Sequence, residues 1–187
     1  MKNRAVFLDR DGTIIEDRNY VYRIEDFCPL KNSVEGLKMM MDMGYLLVII
    51  SNQSGIARGL FSESHLNQFF HYFNDYFNSR GVYFSGIYYC PHHPQGKIEP
   101  YKKDCDCRKP GTGLFLQAAA ELEIEPALSY AIGDSLRDIA AGNRIKANTI
   151  LITGKTEAEY RDYQEKPDFT ARDLLDSAFI IKNNSLQ

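Results

Sequence analysis

The chain is expected to fold as an α/β domain with a mostly parallel central sheet, Rossmann-like and flanked by helices. Three observations carry that expectation. Short apolar runs alternate with helix-like amphipathic segments from end to end. The best strand-like run, Tyr45 to Ile50, is continuously apolar rather than alternating, as in strands buried on both faces. The polar, acidic motifs sit just past such runs, and parallel sheets bind ligands beyond the carboxyl ends of their strands.

In order along the chain, Ala5-Val6-Phe7-Leu8 is a short strand that stops at Asp9. Ser33 to Met43 is predicted as a helix, with Val34, Leu37, Met40 and Met41 on one side and Gly44 placed to end it. The strand Tyr45–Ile50 follows. Residues 62–79 form a second helix, whose Leu66, Phe69, Phe70, Phe73, Tyr76 and Phe77 recur at helical spacing and are expected in the core. Gly86–Tyr89 is a third strand, Thr112–Glu123 a third helix, and Tyr130–Ile132 a fourth strand ending at Gly133-Asp134. Ser135–Ile145 is a helix and Thr149–Ile152 a fifth strand. Past Gly154 the pattern weakens to an edge strand at Phe169-Thr170, a last helix over Asp173–Ile181 and a frayed polar tail from Lys182. No linker divides the chain, so residues 1–187 are expected to form one domain. Residues 90–111 stand out as a long stretch without periodicity, which points to a functional or stapled loop.

The formal net charge of -3 argues against a generic nucleic-acid binder, which needs a basic face. No apolar run approaches the roughly 18 residues of a membrane helix, and the N-terminus lacks the apolar stretch of a signal peptide. A cytoplasmic protein is expected, with no membrane partner and, in the absence of heptads or an obvious partner helix, a monomer. In a reducing compartment the cysteines are not expected to form disulfides. Cys28 stands apart from the other three and is expected to be buried as a small apolar residue.

Four motifs carry the chemistry. In Phe7-Leu8-Asp9-Arg10-Asp11-Gly12-Thr13, two carboxylates converge just past a strand. Carboxylates that close repel unless a cation neutralises them, and Mg²⁺ is a natural oxygen-bound partner. Taken alone, the motif also fits an acidic turn or a calcium loop. Ile50-Ser51-Asn52-Gln53-Ser54-Gly55 offers hydroxyl, amide and loop N–H donors that suit a phosphoryl group. Cys107-Arg108-Lys109-Pro110-Gly111 places two cations before a helix, Lys109 as a point charge and Arg108 as a fork. Ala131-Ile132-Gly133-Asp134-Ser135-Leu136-Arg137-Asp138 brings Asp134 to a strand end to complete a metal's carboxylate set. Asp138, four residues on, reads either as an outer ligand or as an acid stabilised by the helix dipole.

Taken together and in this order, the four motifs resemble those of the haloacid dehalogenase superfamily of phosphohydrolases. The resemblance implies that Asp9 is the nucleophile that becomes an aspartyl phosphate, and that Asp11 is the general acid and then base. It implies Ser51 and Lys109 around the transferring phosphoryl group. It also implies Mg²⁺ on the Asp9 side chain, the Asp11 backbone carbonyl and Asp134.

The aperiodic loop carries Cys90-Pro91-His92-His93-Pro94 and then Cys105-Asp106-Cys107. Cys90, His92, Cys105 and Cys107 make a Cys₃His set suited to tetrahedral, structural Zn²⁺ that would fix the adjacent Arg108-Lys109. Within the superfamily this loop resembles the heptose bisphosphate phosphatases and the related histidinol-phosphate phosphatases. That likeness covers nearly the whole chain, including Ser51-Asn52-Gln53-Ser54-Gly55-Ile56-Ala57-Arg58-Gly59. It implies a zinc loop without a large cap, and a step in making nucleotide-activated heptose for bacterial surface polysaccharide. It places Asp17, Arg18, Asn19 and Tyr20 in a substrate-contacting loop, with Asn52, Gln53, Ser54 and Arg108 also at the substrate. Two departures stand out: heptose enzymes often carry Lys where Ser135 stands and Thr where Ser51 stands. The first removes a cation near the metal; the second keeps the hydroxyl. Arg10, Arg18, Arg58, Arg108 and Lys109 favour a bisphosphate over cationic histidinol phosphate.

Overall fold

The computed structural model describes residues 2–153 and 165–185, so Gly154 and the last two residues lie outside it. Six parallel strands form one sheet: β1 (Ala5–Leu8), β2 (Leu46–Asn52), β3 (Phe84–Cys90), β4 (Tyr130–Gly133), β5 (Asn148–Ile152) and β6 (Phe169–Ala171). Their spatial order is β3-β2-β1-β4-β5-β6. The order reverses between β1 and β4, which is the switch point where open α/β sheets leave a crevice. Register across that point pairs Phe7 with Ala131 and Leu8 with Ile132, so the residues that follow, Asp9 and Gly133-Asp134, emerge side by side.

The continuous apolar strands are buried on both faces because helices cover both. Val6, Leu8, Leu47 and Ile49 point into a core shared with α1 (Ser33–Asp42), α2 (Glu63–Asn78) and α5 (Leu174–Asn184). Ala5, Phe7, Val48 and Ile50 alternate to the other face, against α3 (Gly113–Glu121) and α4 (Leu136–Arg144). α2 adds an aromatic stripe to this core: Leu66, Phe69, Phe70, Phe73 and Phe77 are all buried. Each such side chain contributes roughly 1.5–3 kcal/mol by leaving water. A Ser62–His65 capping box starts α2, and Gly44, at φ 84°, lets the chain leave α1 toward β2.

Two local readings are corrected. α5 continues to Asn184, because Ile181 packs in the core and carries the following polar turn with it. Cys28 is only half-buried, on an open edge of its loop beside the Glu16 carboxylate, whose hydrogen bond raises the thiol pKa. The segment between β1 and α1 contains one short 3₁₀ turn, Ile24–Asp26.

Candidate active site

The loops that leave β1, β2 and β4 meet the segment before α3 at the carboxyl end of the sheet. Asp9 is 7% exposed, and its backbone N–H donates to the Ile132 carbonyl at 2.9 Å, tying the nucleophile candidate to β4. Lys109 comes from the aperiodic loop and is 3% exposed. Its Nζ donates to Asp9 Oδ1 at 2.8 Å and to the Ile50 carbonyl at 2.6 Å, and pairs with Asp138 Oδ1 at 2.6 Å. Asn52 clamps the lysine's backbone: its Oδ1 accepts from the Lys109 N–H at 3.0 Å and its Nδ2 donates to the Lys109 carbonyl at 3.2 Å. Burial works against the ammonium, but the charges of Asp138 and Asp9 outweigh it and raise the Lys109 pKa.

Oxygens of Asp9, Asp134 and Asp138 lie within 4.8 Å of one another. Desolvation, then the negative charges of Asp9 and Asp138, push Asp134 up to about 7. Desolvation likewise lifts Asp138 to about 6, against the pull of Lys109. Three crowded carboxylates with a single lysine leave excess negative charge that a hard divalent cation would neutralise. The donor set therefore fits Mg²⁺. Asp138, left open between two readings by its sequence position, is buried and ion-paired here, and its Oδ2 accepts from the Ser135 N–H at 3.2 Å.

Asp11 is held apart from that cluster. Arg10, wholly buried, donates to it from Nε at 3.1 Å and Nη2 at 2.9 Å, and Gln53 Nε2 donates to Oδ2 at 3.0 Å. The guanidinium also donates to the Val21 carbonyl at 2.6 Å and sits 4.9 Å from the Phe69 ring centre. Burial raises the Asp11 pKa, with Arg10 opposing, which suits a group that must hold a proton to give. Arg10 is thus not a substrate-facing cation: α2 covers it. Gln53 Nε2 also donates to Ser51 Oγ at 2.7 Å, which fixes a hydroxyl that is 1% exposed.

Gly12 makes the turn possible. Its φ is 77°, and a Cβ there would fall on the Asp134 carboxylate. Gly12→Ala should destabilise the fold by about 1–3 kcal/mol and, by displacing Asp134, reduce kcat/KM by roughly 100-fold. Urea unfolding and phosphate release check the two effects separately.

A cleft of about 270 Å³ opens above Asp9 and Asp11. It is lined by Asp17, Asn19 and Tyr20 from the loop after β1 and by Asn52, Gln53 and Ser54 from the end of β2, while Arg58, Arg108 and Arg137 bring positive charge. Asn19 and Tyr20 adopt left-handed φ values of 59° and 68°, and the Asn19 N–H donates to Asp17 Oδ1 at 3.0 Å. Arg18 is not brought to the cleft. That turn sends it outward to an exposed pair with Glu16 at 2.7 Å. Arg137 was not singled out from the sequence, although it lies within the Asp134 motif; nothing in local pattern tells a cleft arginine from a solvated one.

Beside the cleft, the Sγ atoms of Cys90, Cys105 and Cys107 and a ring nitrogen of His92 lie within 4.8 Å of one another. The Cys90–Cys105, Cys90–Cys107 and Cys105–Cys107 sulfur distances are 3.5, 3.0 and 3.1 Å, and His92 Nδ1 is 3.2 Å from Cys107 Sγ. Three soft thiols and an imidazole converging this closely fit tetrahedral Zn²⁺.

A parallel sheet in this order, with an acidic cluster, a buried lysine and a polar turn at its carboxyl end, defines a haloacid dehalogenase-type hydrolase. A family model described as HAD-hydrolase-like matches residues 106–177. The D-glycero-beta-D-manno-heptose-1,7-bisphosphate 7-phosphatase of Pasteurella multocida is 45% identical over 181 residues, covering 96% of this chain and 97% of its own. The same-named protein of Escherichia coli O6:H1 is 43% identical over 178 residues, with 95% and 94% covered. Among solved structures, the D,D-heptose 1,7-bisphosphate phosphatase from B. bronchiseptica, complexed with magnesium and phosphate, superposes with a TM-score of 0.83 at 26% identity, covering 97% and 99%. The chain belongs to the D-glycero-beta-D-manno-heptose-1,7-bisphosphate 7-phosphatase family, and it is an enzyme of the phosphatase class.

Proposed function

We propose that this protein, one domain over residues 1–187, is a cytoplasmic, Mg²⁺-dependent phosphatase that releases the C7 phosphate of D-glycero-D-manno-heptose 1,7-bisphosphate. The carrying observation is the cleft itself: one cavity is lined both by Asp9 and Asp11 and by Arg58 and Arg108. Buried Arg58 Nε and Arg108 Nη1 have no hydrogen-bond partner. Those donors suit a second phosphate, and they disfavour a cationic substrate. In this proposal the protein acts as a monomer.

A carboxyl oxygen of Asp9 attacks phosphorus in line; the bond from phosphorus to the C7 oxygen breaks, and Asp11 delivers its proton to that oxygen. Water then attacks the aspartyl phosphate, Asp11 takes the water's proton, and Asp9 leaves as a carboxylate with inorganic phosphate released. Lys109 holds Asp9 in one rotamer, and Ser51, Asn52 and neighbouring loop N–H groups receive the phosphoryl oxygens. Asp9, the Asp11 backbone carbonyl and Asp134 would hold Mg²⁺, with Asp138 behind them. The ion supplies charge neutralisation between a carboxylate nucleophile and a phosphate dianion. Asp17, Asn19 and Tyr20 face the sugar.

Zn²⁺ on Cys90, His92, Cys105 and Cys107 is read as structural, anchoring Arg108 and Lys109 directly after Cys107. Metal analysis is expected to find one zinc per chain. Cys107→Ser should lose it and lower stability by about 2–3 kcal/mol, or roughly 5–10 °C in melting temperature, less than in a zinc-only fold because the sheet has its own core. A variant that keeps both its melting temperature and its KM would remove the anchoring role.

The reaction is tested by Mg²⁺-dependent phosphate release from heptose 1,7-bisphosphate and from histidinol phosphate, side by side. A much higher kcat/KM on the heptose is expected. Preference for histidinol phosphate would keep the site chemistry and overturn the substrate.

A further inference from the structure

We propose that Arg137 is a specificity residue that, with Arg58 and Arg108, grips the remote phosphate of the bisphosphate; the proposal rests on the reaction proposed above. Arg137 lines the cleft, and among the described residues its guanidinium has neither an ion-pair nor a hydrogen-bond partner. It is the second residue of α4, so it places a cation in a helix first turn, the end where the helix dipole favours anions. It lines the same cleft as Arg58 and Arg108, whose buried Nε and Nη1, respectively, have no hydrogen-bond partner among the described residues. Three cations are thus brought together around one cleft against both the dipole and their own repulsion.

The nearby carboxylates do not account for that arrangement. Asp134 and Asp138 flank Arg137 in the chain. Asp138 is already committed to Lys109 at 2.6 Å. Asp134 belongs to the metal donor set. With those charges answered, Arg137 shares the cleft with two other guanidiniums, Arg58 and Arg108. A phosphate dianion resolves the conflict, because its oxygens accept from several guanidiniums at once. Lys109 cannot take this part: it is 3% exposed and engaged with Asp9, so it serves the reacting end only. Arg58 is steadied for the role by His93, whose Nε2 lies 3.1 Å from Arg58 Nη2.

The test compares heptose 1,7-bisphosphate with the corresponding 7-monophosphate, in the Mg²⁺-loaded wild type, Arg137→Gln and Arg137→Lys. In Arg137→Gln the preference for the bisphosphate should fall by about 10- to 100-fold, the loss of one charge-assisted contact. It should appear in KM and not in kcat, with Arg137→Lys recovering part of it. Because the side chain is exposed and its charge is held against the dipole, the Arg137→Gln melting temperature should be no lower than the wild type's. Equal losses on both substrates would assign Arg137 to Asp134 or the reacting phosphoryl group and overturn the proposal, as would an undiminished preference. A wild type that treats both substrates alike would overturn the bisphosphate reading, and the proposal with it, before any variant is made.

Discussion

Asp9→Asn should abolish Mg²⁺-dependent phosphate release, by roughly 10⁴-fold or more, because an amide oxygen cannot form the acyl phosphate on which turnover depends. The fold should survive. The substitution keeps the shape of the side chain and takes one negative charge from the three-carboxylate cluster of Asp9, Asp134 and Asp138. Lys109 keeps Asp138 as its partner. Thermal unfolding of the metal-free variant is therefore expected at or above the wild-type temperature, while activity is lost. Turnover that persisted in a fully folded Asp9→Asn protein would show that another group attacks phosphorus.

Lys109→Met should be the most damaging single change to stability in the site. Among the described residues the lysine is the one cation within contact of these two buried carboxylates, and removing one member of a buried ionic cluster leaves the others uncompensated, a loss of about 3–5 kcal/mol. The wild-type contribution has a definite pH sense. Its pKa is raised above the ordinary 10.5, so the ion pairs are intact throughout neutral pH and are lost only as pH climbs through the raised value. Denaturant unfolding at pH 7 and in the alkaline range reads both features. Added Mg²⁺ should recover part of the stability in Lys109→Met but little of the activity, because Asp9 is no longer held in one rotamer. An unchanged unfolding midpoint at pH 7 would mean that the lysine adds nothing net to this cluster.

Much of the architecture is legible from local pattern because it depends on local physics. Continuous apolar runs make parallel strands, the 3.6-residue recurrence of Leu66, Phe69, Phe70, Phe73 and Phe77 makes a buried helix face, and acidic or polar residues that end an apolar run fall at the carboxyl edge of the sheet. Element ends moved by one or two residues, and by three in α5, where a core contact at Ile181 extends the helix into a polar stretch. The spacing of Cys90, His92, Cys105 and Cys107 was likewise enough to bring four metal-type donors together, since the two short motifs need only one loop closure to meet.

What the sequence by itself determined, then, is the sheet, its two apolar faces, and the strand ends at which Asp9, Ser51 and Asp134 emerge. Tertiary structure alone decided which way the charged side chains turn. Arg10 and Arg18 both read as cations near the substrate. One is sealed beneath Phe69 and Phe70 and positions Asp11; the other leaves the cleft for Glu16. Asp138 became a buried partner of Lys109, and Arg137, one residue earlier, became a wall of the cleft. For Arg10, Arg18 and Asp138 the physical reason is the same: a charged side chain follows the nearest opposite charge it can reach, and whether that lies in water, in a neighbouring loop or on a distant strand is set only once the chain has folded. Arg137 has no such partner among the described residues, and only the folding of α4 beside the other loops brings it to the cleft.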